Sequence, residues 1–81
     1  MKVIKFYADW CGPCKALSAT LEDVETDVVI ENIDIDQDNE TPAKYGVRGV
    51  PTMIMVDDTG TEIKRKVGAL SKGDLVNFLE V

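Results

Sequence analysis

Trp10-Cys11-Gly12-Pro13-Cys14-Lys15 contains both cysteines of the chain, separated by two residues. An apolar, strand-like run, Val3 to Ala8, precedes it, and a helix-like run, Lys15 to Thr26, follows. That order puts Cys11 at the exit of a strand and Cys14 in the first turn of a helix. A helix N-terminus carries partial positive charge and unsatisfied N–H groups, and both favour a thiolate. Cys11 is therefore expected to be the attacking sulfur, with a lowered pKa. Cys14, one turn on, is expected to resolve a mixed disulfide. Gly12 leaves room for a partner backbone. Pro13 has a fixed φ and no N–H, which suits a first helical turn.

The 81 residues are enough for one small domain, spanning 1–81. An apolar share of 44% fits a globular chain rather than a disordered one. No apolar run reaches membrane-spanning length, and the cysteine motif arrives too early for a signal peptide. A disulfide closing so short a loop removes little unfolded-state entropy. The pair therefore reads as reactive, in a reducing, cytoplasmic compartment. A net charge of −6 argues against a nucleic-acid surface, which needs clustered Lys and Arg. The absence of histidine excludes Cys-His proteases and Ser-His-Asp hydrolases. Two thiolates alone do not make a closed zinc site. Asp34, Asp36 and Asp38 lack the glycine and terminal glutamate of a calcium loop. No metal and no bound cofactor is expected.

Working outward, Leu17, Leu21 and Val24 recur at helical spacing and are expected to face a sheet. Glu22, Asp23, Glu25 and Asp27 follow as a solvated acidic end. Val28 to Ile35 reads as a second strand. Thr41-Pro42 reads as the cap and first turn of a short helix, Ala43 to Tyr45, closed by Gly46. Thr52 to Val56 and Thr61 to Val67 read as a hairpin around Asp57-Asp58-Thr59-Gly60. Ser71 with Asp74 starts a last helix in which Leu75, Phe78 and Leu79 are buried.

Three stretches in unbroken order resemble the thioredoxin family. The first runs through Phe6, Ala8 and the hexapeptide Trp10 to Lys15. The second runs from Asp36-Gln37 through Pro42-Ala43-Lys44-Tyr45-Gly46-Val47-Arg48-Gly49-Val50-Pro51-Thr52. The third is Lys66-Val67-Gly68-Ala69-Leu70-Ser71-Lys72. The resemblance implies a minimal α/β fold, β-α-β-α-β-β-α, with a four-stranded mixed sheet flanked by helices. The family's extra N-terminal strand and helix have no counterpart, so one sheet edge and part of one face are expected to be less covered. A monomer is expected.

The resemblance also implies reduction of protein disulfides, with Gly-Pro between the cysteines marking a reducing couple. It makes Pro51 a cis proline facing the cysteines, with the Val50 backbone free to pair with an extended substrate. A plain strand-initiating proline is the alternative. Gly49 and Val50 lie on the same docking loop. Gly68 and Ala69 complete an apolar docking surface with Trp10 and Pro51, or form an ordinary tight loop. Trp10 is expected to be an exposed, partner-contacting indole. Electrons are implied to come from a thioredoxin reductase, which binds the nicotinamide itself.

One position departs from the family. A buried aspartate commonly precedes the phenylalanine, and Lys5 stands there instead; its usual lysine partner matches Asn32. Lys5 either snorkels to solvent or lies near Cys14 and lowers that thiol's pKa. Ala19 occupies the place of the family's helix-kinking proline. Two rival readings are a glutaredoxin-like protein reduced by glutathione, and a binding module that clamps a partner without redox turnover.

Overall fold

The computed structural model describes residues 1–80. Its elements are β1 (Lys2–Tyr7), α1 (Gly12–Glu22), β2 (Val29–Asp34), α2 (Glu40–Lys44), β3 (Thr52–Val56), β4 (Glu62–Val67) and α3 (Lys72–Leu79). The four strands form one mixed sheet in the order β2-β1-β3-β4. β1 pairs parallel with β2 and antiparallel with β3, and β3 pairs antiparallel with β4. β1 thus has a strand on each side, and Val3 to Phe6 are buried on both faces. That is why this strand reads as a near-continuous apolar run.

Alternation along β1 and β3 splits the core in two. Val3, Met53 and Met55 pack with Leu17 of α1 and with Leu75, Phe78 and Leu79 of α3. Ile4, Phe6, Ile54 and Val56 point the other way, against Ile33, Ile35, Tyr45, Val47 and Val50. The expected thin cover lies along β2, where Val29, paired with Lys2, is 64% exposed, whereas at the centre of that face Ile4, Ile54 and Val56 are all buried. Tyr45 explains this. Its ring lies 6.3 Å from that of Phe6, and its hydroxyl donates to the Gly60 carbonyl at 2.8 Å. Arg65 Nη2 in turn donates to the Tyr45 carbonyl at 2.6 Å. The open edge is β2, where Val29, Glu31 and Asn32 are exposed.

The strands shift by a residue or so at their ends, and the larger differences from the sequence reading are at α1 and α2. α1 begins at Gly12 with Cys11 as its cap, and Pro13 and Cys14 lie in its first turn as expected. It ends at Glu22 rather than Thr26. Carboxylates without a nearby cation oppose the dipole at that end, and Thr26 Oγ1 instead accepts from the Val28 N–H at 3.1 Å. α2 is not capped by Thr41. The Asp38 carboxylate accepts from the Glu40 and Thr41 N–H groups, both at 3.0 Å, and from the Thr41 hydroxyl at 2.7 Å. Gly46 then closes α2 at positive φ, and Ser71 Oγ accepts from the Asp74 N–H to start α3. The β3–β4 turn closes on Asp57, whose carboxylate accepts from the N–H groups of Thr59 and Thr61. Among the described residues, no helix is long and apolar enough to cross a membrane.

Candidate active site

The polypeptide leaves β1 at Tyr7, turns through Ala8 to Trp10, and enters α1. The Cys11 N–H donates to the Ala8 carbonyl at 3.1 Å, which fixes the turn. Cys11 keeps extended backbone angles as the N-cap of α1, and its sulfur accepts from the Cys14 N–H at 3.1 Å. A thiolate at this sulfur would therefore meet an N–H otherwise unpaired at the helix start. Pro13 occupies the first turn, where its missing donor leaves no bond unmade. Cys11 and Cys14 are joined as a disulfide, with Cα atoms 5.2 Å apart. Both are buried with Ala8, and Tyr7, Ile35 and Val50 pack around them.

The loop before β3 comes to the same place. Val50 is half-buried against the cysteines, and the Val50–Pro51 peptide bond is cis, as the resemblance implies. Thr52 Oγ1 donates to the Gly49 carbonyl at 2.8 Å and holds this loop. The Gly68 N–H donates to the Pro51 carbonyl at 2.8 Å, which brings the end of β4 beside the proline. Gly68 has φ +92°, where a side chain would be strained. Ala69 is exposed and is not part of the apolar cluster around the cysteines. Gly12 and Pro13 are exposed at the rim, and nothing lies within 4 Å of where a Gly12 Cβ would sit. Trp10 is 68% exposed, the most open of the large apolar side chains.

Two residues that sequence reasoning left without a role meet this site. The Trp10 Nε1–H donates to Asp36 Oδ2 at 2.9 Å. The parallel register sets Tyr7 beside Asp34, so the segments that follow the two strands emerge together. That pairing was available from the β1-β2 order and would have pointed to Asp36. Ser18 is the second. Lys5 does not snorkel to solvent; it is only 7% exposed, and its Nζ donates to Ser18 Oγ at 2.7 Å. Burial pushes the Lys5 ammonium below the usual lysine range. An open depression of about 340 Å³ beside Cys14 is lined in part by Tyr7, Asp9, Ser18 and Glu22. Among the described residues, no three acidic or cysteine side chains gather as a metal site.

A cysteine that caps the very helix carrying its disulfide partner, beside a proline loop on a mixed sheet, defines a dithiol–disulfide oxidoreductase. Comparison with known proteins narrows the class. The family model described as Thioredoxin matches residues 1–81. A thioredoxin of Pseudomonas aeruginosa is 42% identical over 82 residues, covering 96% of this chain and 75% of that protein. A thioredoxin of Rhodospirillum rubrum is 41% identical, covering 95% and 77%. Among solved structures, a mutant thioredoxin from Halobacterium salinarum superposes with a TM-score of 0.87 at 38% identity, over 96% of this chain and 70% of that one. A thioredoxin from Thermosipho africanus gives 0.82 at 34% identity, over 99% and 91%. The chain belongs to the thioredoxin family, and it is a protein-disulfide oxidoreductase.

Proposed function

We propose that the chain folds and works as one domain that reduces protein disulfides, with Cys11 as the nucleophile and Cys14 as the resolving thiol. The observation that carries this order is the Cys14 N–H donated to Cys11 Sγ at 3.1 Å. A helix-start donor aimed at one sulfur stabilises negative charge on that sulfur rather than on its partner. The Cys11 thiolate attacks a substrate disulfide, and one substrate sulfur leaves as a thiolate. Cys14 then attacks Cys11 Sγ, the second substrate thiol leaves, and the protein is oxidised.

The substrate segment docks over Trp10, Gly12, Pro13, Gly49, Val50, Pro51, Gly68 and Ala69. Support comes from the exposed indole, the exposed Gly12 and Pro13, and the Gly68–Pro51 bond that joins the two loops. A thioredoxin reductase supplies electrons, and the chain works as a cytoplasmic monomer; membership of the family supports these readings. The test is trapping. Cys14→Ser is expected to accumulate mixed disulfides with substrate proteins and Cys11→Ser is not. The opposite pattern reverses the roles.

A further inference from the structure

Among the described residues Lys5 is the only buried charged side chain. A buried ammonium is costly unless something compensates its charge. No carboxylate does so among the described residues, since their ion pairs involve Met1, Lys2, Lys64 and Arg65. Its register partners, Asn32 on β2 and Met53 on β3, carry no charge. The Tyr7 ring lies 5.9 Å from Nζ. Asp9, Lys15 and Glu22 are exposed on the wall of the neighbouring depression. Among the described residues the one side-chain hydrogen bond Lys5 makes is to Ser18 Oγ, at 2.7 Å.

Ser18 follows Cys14 by four residues, so the two side chains lie one above the other on α1. Both line the same depression. The Ser18 hydroxyl already accepts from Lys5, and its own proton meets no acceptor among the described residues. The missing acceptor is one the reaction itself creates. When the Cys11–Cys14 bond is open, a thiolate at Cys14 is an anion one helical turn from that hydroxyl.

We propose that Lys5 and Ser18 are positioning residues for Cys14: the Ser18 hydroxyl, oriented by the Lys5 ammonium, donates a hydrogen bond to Cys14 Sγ whenever the disulfide is open, most strongly once that sulfur becomes a thiolate. The chain Nζ–H to Oγ–H to S⁻ is polarised in one direction, so each bond strengthens the other. This rests on Cys14 being the resolving thiol. In resolution the Cys14 thiolate attacks Cys11 Sγ, the Cys11–Cys14 bond forms, and the bond from Cys11 to the substrate sulfur breaks. The substrate leaves as a thiolate and takes a proton from water. The proton first lost by Cys14 goes to solvent in the depression, and Lys5 and Ser18 keep theirs throughout. Two electrons pass from the dithiol to the substrate disulfide.

The dithiol form gains an acceptor for the Ser18 hydroxyl that the disulfide form lacks. Removing either residue is therefore expected to favour the disulfide. In the full chain, Lys5→Met and Ser18→Ala are each expected to shift the dithiol–disulfide equilibrium about tenfold toward disulfide, or about 30 mV more reducing. The equilibrium is read in a glutathione buffer. The Lys5→Met, Ser18→Ala double variant is expected to move no further than either single variant, and Ser18→Thr to restore the equilibrium. In a Cys11→Ala background, thiolate absorbance is expected to place the Cys14 titration at higher pH in both single variants. Ser18 is half-buried, so Ser18→Ala carries the test even if Lys5→Met does not fold. Single variants within twofold of wild type overturn the proposal, and so does a double variant shifted about a hundredfold. Should Cys14→Ser trap no substrate, the role assignment falls. Should it trap substrate while Ser18→Ala keeps the wild-type equilibrium, this proposal alone falls.

Discussion

Leu17 is the bolt that fastens the cysteine-bearing helix to the sheet, and Leu17→Ala measures its grip. The side chain is 0% exposed and sits among Val3, Met53, Met55, Leu75, Phe78 and Leu79. The change removes three carbons, worth about 2.4 kcal/mol at roughly 0.8 kcal/mol per buried carbon. A cavity adds to this, and measured losses for such changes span about 2.7–5.0 kcal/mol. Leu21 and Val24 are only partly buried and leave α1 free to settle inward, which places the loss near the lower end, at about 3 kcal/mol. The better helix propensity of alanine offsets a few tenths of a kcal/mol. Against a total of roughly 4–12 kcal/mol for a chain of this length, that is a large fraction. Urea unfolding of the oxidised protein is the assay. At a slope of about 1 kcal/mol/M the midpoint is expected to fall by about 3 M with the slope unchanged. A loss under about 1 kcal/mol would refute the reasoning, since it would mean that α1 is held by something other than this contact.

Asp36→Ala is expected to free the Trp10 indole, lowering its fluorescence anisotropy and weakening substrate turnover while the melting temperature stays within a few degrees. Unchanged anisotropy would mean that Asp36 does not hold the ring. The Asp38 and Asp57 carboxyls both lie below the usual carboxylate range. Thr41 is the main cause for Asp38, and the Thr59 hydroxyl is the main cause for Asp57. Folded values below the unfolded ones mean stability that is present above about pH 4 and lost as pH falls through the folded values. Asp38→Ala is accordingly expected to melt earlier than wild type at pH 7, with the gap narrowing toward pH 2. A gap independent of pH would assign the effect to something other than the charged cap.

Local chemistry made much of this protein readable before any coordinates. The cysteine spacing, the Asp57 to Gly60 turn and the Ser71 cap each act within a few residues, and each stands where the sequence put it. The first turn of α1 was legible from Pro13 and Cys14, and the structure adds that Cys11 caps it: sulfur does there what a serine oxygen normally does. The start of α2 was misplaced because Asp38 and Thr41 are both good caps three residues apart, and the stronger acceptor won. Lys5 was hardest. Nothing near it in sequence says that a serine thirteen residues away will receive its ammonium, and that knowledge exists only once α1 lies across β1. Asp36 was easier, since its partner Trp10 is reached across the parallel β1-β2 pair that the element order already implies.

The central position of β1 has a consequence for synthesis. This strand leaves the ribosome well before one of its two neighbours, β3, which ends at Val56. At roughly 5–20 residues per second, about fifty further residues take about 3–10 s. For that interval the nascent chain carries Val3, Ile4 and Phe6 with one edge unpaired, a ready substrate for a holding chaperone.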